Sequence, residues 1–171
     1  MSIDVPSAYD AHVDFVWRLL LRLGVPTANV EDAVQEVFLV LHRRRDEFNG
    51  DSTVRTWLGG IAVRVASDQR RGQLRSQAHL AQVARLPRIS PREPSQALEE
   101  REAFTLVQGL LEQLSEEQRT VFVLAEFEEL TLREISDITG VNANTVSSRL
   151  RLARQRFEAL VLQGRTRERA S

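Results

Sequence analysis

Residues 131–157, TLREISDITGVNANTVSSRLRLARQRF, are the stretch on which the reading of this chain turns. Thr131 with Glu134 three residues later fits a capping box, in which a hydroxyl and a carboxylate satisfy the free amides at a helix start. Leu132, Ile135 and Ile138 then recur at helical spacing and are expected to face inward. Gly140, which takes a left-handed conformation without a Cβ clash, ends that helix, and Asn142 is placed to cap the next. From Ala143 to about Phe157, an advance of about 100° per residue puts Val146, Leu150, Ala153 and Phe157 on one apolar stripe. The opposite face collects Asn144, Ser148, Arg151 and Gln155, with Ser147, Arg149 and Arg154 at its edges. These residue types read base edges and bind phosphates. A first helix, a glycine turn and a second helix that opens on short side chains make a helix-turn-helix, whose second helix enters the major groove of DNA. A polar helix face alone is only a solvated face; the complete motif is what favours DNA.

Working outward, Ser115 and Gln118 repeat the capping-box spacing and mark an earlier helix start. Before it, Gln73 to Ala97 has weak periodicity and holds Pro87, Pro91 and Pro94 with Ser90 and Ser95, the composition of a semi-stiff connector. Nearly all the remaining sequence carries a helical period, without alternating strand patterns. The expected fold class is therefore all-α, with two small helical domains joined by a Pro-containing linker. Their expected bounds are 1–72 and 101–162, with the linker at 73–100 and a basic tail at 163–171.

In the first domain, Val30, Val34, Val37, Phe38 and Leu41 form one apolar stripe of a helix from about Asn29 to Arg45. Its other face sets Leu39 among Asp32, Gln35, Glu36 and Arg43. A leucine within a polar surface suits a protein-docking face, although a plain solvated face with dipole-favoured carboxylates reads the same way. The polar turn Phe48-Asn-Gly-Asp-Ser-Thr53 follows, then a helix containing Trp57, Ile61, Val65 and Arg70-Arg71. Such a surface suits a single strand and an unpaired base, with Trp57 either at that surface or in the core.

Composition narrows the classes further. The chain has 171 residues, of which 42% are hydrophobic and 27% charged, enough for one modest core or two small ones. It contains no cysteine, which excludes disulfides, thiolate nucleophiles and cysteine-ligated zinc. His12, His42 and His79 lie far apart and share no metal-binding spacing, so neither a metal site nor a cofactor is expected. The net charge is −1, yet Arg64 to Arg75 carries four Arg against one Asp, and Arg149 to Arg169 seven Arg against two Glu. All 23 basic residues are Arg, a choice that suits bidentate phosphate and base contacts. No run of about 18 apolar residues is long enough to cross a bilayer, and MSIDVPSAYD lacks the order of a signal peptide, so the expected location is the cytoplasm. A hydrolase built on the 24 carboxylates is disfavoured, because helical surface spacing explains them without a nucleophile motif.

The order of parts resembles the two-domain extracytoplasmic-function sigma factors of bacterial RNA polymerase, over about residues 8 to 71 and 104 to 160. The resemblance is carried by Asp32-Ala-Val-Gln35-Glu36-Val-Phe38, by Trp57-Leu58 with Ile61-Ala62 and Asp68-Gln-Arg-Arg71, and by Leu114 to Phe157 with Thr145-Val146 and Arg149-Leu150. It implies a sigma factor that binds core polymerase, directs it to promoters and promotes melting, under the restraint of an anti-sigma protein. Asp32, Gln35, Glu36, Leu39 and Arg43 would meet the coiled coil of the polymerase's largest subunit, with the polymerase flap as a further contact. Asn49, Asp51, Ser52, Thr53, Trp57, Arg64, Arg70 and Arg71 would bind the minus-ten element, the loop taking a flipped base and Arg70 and Arg71 holding backbone. Asn144, Thr145, Ser147, Ser148, Arg149, Arg151, Arg154 and Gln155 would read the minus-thirty-five element. The resemblance also implies no catalytic residues, no membrane insertion and a monomer when free of partners. The chain departs from the family pattern at Val63-Arg64, where relatives commonly carry Arg-Asn, and at Val54, where an aromatic is frequent. The alternative is a helix-turn-helix regulator that works without replacing the polymerase's sigma subunit, which leaves Asp32, Gln35, Glu36 and the Asn49 loop without a role.

Overall fold

The computed structural model describes residues 3–77 and 97–169, and among them every regular element is helical. The chain divides into two units, Met1–Ser90 and Pro91–Ser171.

The first unit is a packed trio. Helix α1 (Val5–Arg22) begins where the Asp4 carboxylate accepts the Ser7 amide at 3.2 Å, with Pro6 in its first turn. Helix α2 (Thr27–Arg44) follows Pro26 and buries Val30, Ala33, Val34, Val37, Phe38 and Leu41. A 3₁₀ turn at Arg45–Glu47 is fixed by the Arg44–Glu47 ion pair at 2.6 Å. Helix α3 (Val54–Gln77) starts where the Thr53 hydroxyl accepts the Thr56 amide at 3.0 Å. Each of the three packs against the other two. Val16, Leu19 and Leu20 of α1, Leu41 of α2 and Leu58, Ile61 and Ala62 of α3 are all buried in the core that the trio encloses.

The second unit holds α4 (Ala97–Leu111), α5 (Glu116–Glu126), α6 (Leu132–Thr139) and α7 (Ala143–Arg169). Ser115 caps α5 by accepting the Gln118 amide at 3.2 Å. Arg119, only 7% exposed, donates from Nε to the Leu111 carbonyl at 2.7 Å, satisfying an end carbonyl of α4. At α6 both halves of the capping box form: Glu134 N–H donates to the Thr131 hydroxyl, and Thr131 N–H donates to the Glu134 carboxylate at 2.9 Å. Gly140 ends α6 at φ 72° and ψ 12°, and the Asn142 side chain then caps α7 by accepting the Thr145 amide at 2.9 Å. Val146, Leu150, Ala153 and Leu160 of α7 are buried, and Phe157 lies against Phe122 of α5 with ring centroids 4.7 Å apart.

Three expectations are corrected. Leu132 is 40% exposed rather than inward, because at the first position of α6 it has no preceding turn beneath it and lies beside a groove; Ile135 carries the burial instead. Helix α7 does not stop near Phe157 but runs to Arg169, taking up most of the expected basic tail. No proline interrupts it there, and buried Leu160 extends its inward stripe. Helix also occupies 73–77 and 97–100, both ends of the expected connector. The rest of that connector, with Pro87, Pro91, Pro94, Ser90, Ser95 and His79, lies outside the described residues.

Nothing lies within 4 Å of a Cβ added at Gly140, so its requirement is conformational alone. Gly140→Ala is expected to destabilise the C-terminal unit by about 1–2 kcal/mol, the cost of a left-handed alanine, and Gly140→Asn by less. Denaturant unfolding of the full chain, followed by circular dichroism, measures both.

Candidate nucleic-acid interface

Outward-facing side chains follow from the packing. On α7, with Val146, Leu150, Ala153 and Leu160 turned inward, Asn144, Ser147, Ser148, Arg151, Arg154 and Gln155 are exposed, while Thr145 and Arg149 are half-buried. The Thr145 hydroxyl is 3.1 Å from the Asn142 side-chain oxygen, and the Ser148 hydroxyl donates to the Thr145 carbonyl at 3.0 Å. Thr145 therefore helps build the start of the helix. Between α7 and the beginning of α6 runs a groove of about 550 Å³ lined in part by Thr131, Leu132, Ser147, Arg151, Arg154 and Gln155. Arg154 is engaged there: its guanidinium meets the Glu126 carboxylate at 2.6 Å.

In the first unit the outer face of α2 presents Asp32, Gln35, Glu36 and Arg43, all exposed, around Leu39 at 49% exposure. They belong to one face because they follow the i, i+3, i+4 spacing. Tyr9 of α1, 44% exposed, adds an aromatic beside α2, its ring centroid 4.7 Å from that of Phe38. The loop before α3 is a self-bonded turn: the Asn49 side chain donates to the Asp51 carboxylate, and the Asp51 amide donates to the Asn49 side-chain oxygen at 3.1 Å. Gly50 sits at φ 83°, and Asn49, Asp51, Ser52 and Thr53 are exposed. Trp57 is half-buried, with its ring 5.5 Å from Phe48. On α3, Arg64 and Arg71 are exposed and Arg70 half-buried; Arg71 pairs with Asp68 at 2.5 Å.

Residues 8–76 match the profile of sigma-70 region 2, and residues 104–157 match that of sigma-70 region 4. The ECF RNA polymerase sigma-E factor of Escherichia coli is 31% identical over 149 residues, covering 81% of this chain and 77% of that relative. The chain belongs to the ECF sigma factors of RNA polymerase. The RNA polymerase sigma-H factor of Pseudomonas aeruginosa is 28% identical over 158 residues, covering 82% of this sigma factor and 77% of its own length. The fold of this chain is similar to that of the sigma factor RpoE from Bartonella quintana, solved with the anti-sigma factor NepR, at a TM-score of 0.74, 21% identity and coverage of 92% and 96% of the two chains. It is also similar to CnrH, solved with the cytosolic domain of CnrY, at a TM-score of 0.68, 22% identity and coverage of 92% and 86%.

As a sigma factor the chain is a specificity subunit of RNA polymerase, with core polymerase and promoter DNA as its partners. The reading as a regulator acting without replacing the sigma subunit is not favoured, since the N-terminal unit is itself a sigma region. No helix among the described residues is long and apolar enough to cross a membrane, and no group of three or more potential ligands there is placed to hold a metal ion.

Two residues of this sigma factor escaped sequence reasoning. Glu126, partner of Arg154, lies 28 positions away and gives no local signal. Arg55, at the start of α3, lies over Phe15 of α1 at 4.7 Å, a cation–π contact that joins two helices. Beside it, His12 meets Phe15 edge-on, with centroids 6.5 Å apart. Burial, and then the positive charge of Arg55, push the His12 pKa below its ordinary 6.5. The fold therefore favours neutral imidazole, and the unfolded chain takes up the proton first. The associated stability is present above the unfolded pKa and is lost as pH falls from about 6.5 through the depressed folded value. Thermal melts between pH 7 and 5 are expected to show a falling Tm that His12→Gln flattens.

Proposed function

We propose that this sigma factor grips a promoter at two places, one with each unit, and opens the DNA between the upstream contact and the start site. The observation that carries this is the pairing, in one chain, of a docking-type face on α2 with a groove-reading face on α7. Asp32, Gln35, Glu36, Leu39 and Arg43 dock on the coiled coil of the largest polymerase subunit, Leu39 burying its exposed surface there. The loop at Asn49, Asp51, Ser52 and Thr53, with Trp57, Arg64, Arg70 and Arg71, takes the minus-ten element and an unstacked base. Binding energy realised only with unpaired bases then favours melting.

Asn144, Ser147, Ser148, Arg151 and Gln155 read the minus-thirty-five element, while Thr145, Arg149 and Arg154 support and flank them. The functional domains are 1–72 and 101–162, the second continued by the α7 extension, with the connector between them spacing the two contacts. The chain supplies no catalytic group; bond formation belongs to the polymerase. It works in the cytoplasm and is held by an anti-sigma protein, as the sigma factor RpoE of Bartonella quintana is in its complex with the anti-sigma factor NepR.

Reconstitution with core polymerase and promoter DNA tests the whole reading: specific transcripts are expected, and duplex binding without them would sink it. Glu36→Arg is expected to weaken association with core polymerase on the order of tenfold, about 1.4 kcal/mol, without loss of helical content, because the side chain is exposed. Arg151→Ala is expected to relax preference at one upstream base pair by about 1–3 kcal/mol. A salt-dependent loss that is uniform across sequences would reassign Arg151 to backbone.

A further inference from the structure

Arg154 stands on the polar side of α7 but is not loose there. Its Nε and Nη2 both donate to one oxygen of Glu126, at 2.8 Å and 2.6 Å. Glu126 is the last residue of α5, where the helix's own carbonyl ends already concentrate negative potential and a carboxylate is unfavourable. The last turn of α5 contains no basic residue. Acidic residues continue past it, with Glu128 buried and Glu129 exposed in a left-handed conformation at φ 55°. The charge that compensates this helix end comes from Arg154, on another helix. The pair sits in partial contact with solvent, 59% of the Arg154 side chain and 36% of the Glu126 side chain being exposed, and Arg154 lines the groove that Arg151 and Gln155 also line.

Phosphates attract any mobile guanidinium whatever the DNA sequence, and that attraction is the non-specific part of binding. A guanidinium with one edge held by a carboxylate presents little net charge and only its remaining donors. We propose that Glu126 is a specificity-determining residue of the upstream contact: it withholds Arg154 from indiscriminate phosphate binding and fixes its guanidinium beside the reading face. The proposal rests on the reading of α7 as the upstream recognition helix. Discrimination is a difference of two affinities, and weakening the wrong complex raises it as effectively as strengthening the right one.

The test uses holoenzyme assembled from core polymerase and the full chain. Binding is measured across a salt series on a duplex with its preferred upstream element and on the same duplex with that element scrambled. Glu126→Gln, nearly isosteric and uncharged, is expected to raise affinity for the scrambled duplex several-fold and to lower the preferred-to-scrambled ratio accordingly. The slope of log K against log salt should steepen by about 0.9, as one more phosphate is neutralised. In an Arg154→Ala background the same substitution should change neither quantity. An unchanged ratio and slope, a lowered melting temperature alone, or an equal change in the Arg154→Ala background would overturn the proposal. If the unsubstituted holoenzyme shows no upstream preference at all, the recognition-helix reading itself fails, and that is seen before any variant is made.

Discussion

Each unit of this protein closes its core, among the described residues, with only three or four α-helices, and its surface chemistry depends on that constraint. Three or four helices enclose an interior only if every helix commits one stripe to it and leaves the rest of its circumference to solvent. In the first unit Leu19, Leu41 and Leu58, one from each of α1, α2 and α3, are fully buried. With Val30, Val34, Val37 and Leu41 spent inward, α2 has to present Asp32, Gln35, Glu36 and Leu39 outward, and the exposed leucine stands out because no core position remains for it.

The same economy binds recognition to stability in the second unit. Helix α6 has eight residues, fewer than an isolated helix needs to persist in water, so its box at Thr131, its stop at Gly140 and the burial of Ile135 must hold it together. Helix α7 shares its length between two tasks. Val146, Leu150 and Ala153 lock it to the core, while Arg151, Arg154 and Gln155 face the groove from the intervening positions. A rotation of α7 that preserved one set would displace the other, so a well-packed core is what aims the polar face.

Charge is organised by position rather than by total. A net charge of −1 coexists with arginine-rich helical stretches, and the acidic end of α5 lies against one of those stretches. A cation that is present but committed differs from a free one in what it offers to DNA, and a count of arginines does not separate the two. The Glu126–Arg154 pair is partly exposed, so its contribution to stability is modest; its effect is on where a positive charge points.

Much of this was legible in the sequence because helices are local. Capping at Thr131 and Asn142, the stop at Gly140, the stripe Val146, Leu150, Ala153 and the exposure of Leu39 all follow from spacings of three or four residues. The family also showed in such spacings. Other features join distant positions or depend on what packs alongside: Arg55 over Phe15, Tyr9 on Phe38 and Arg154 on Glu126 cross 28 or more residues. The exposure of Leu132 and the run of α7 to Arg169 likewise depend on which neighbours cover a turn, and periodicity does not encode that. The sequence by itself determined the helices, their inward stripes and the kind of surface each presents, because backbone geometry sets those periods. Only the tertiary structure decided which charges pair between helices, as Arg154 does with Glu126, and that Leu132 stays uncovered, since both depend on distances between segments that no local rule links.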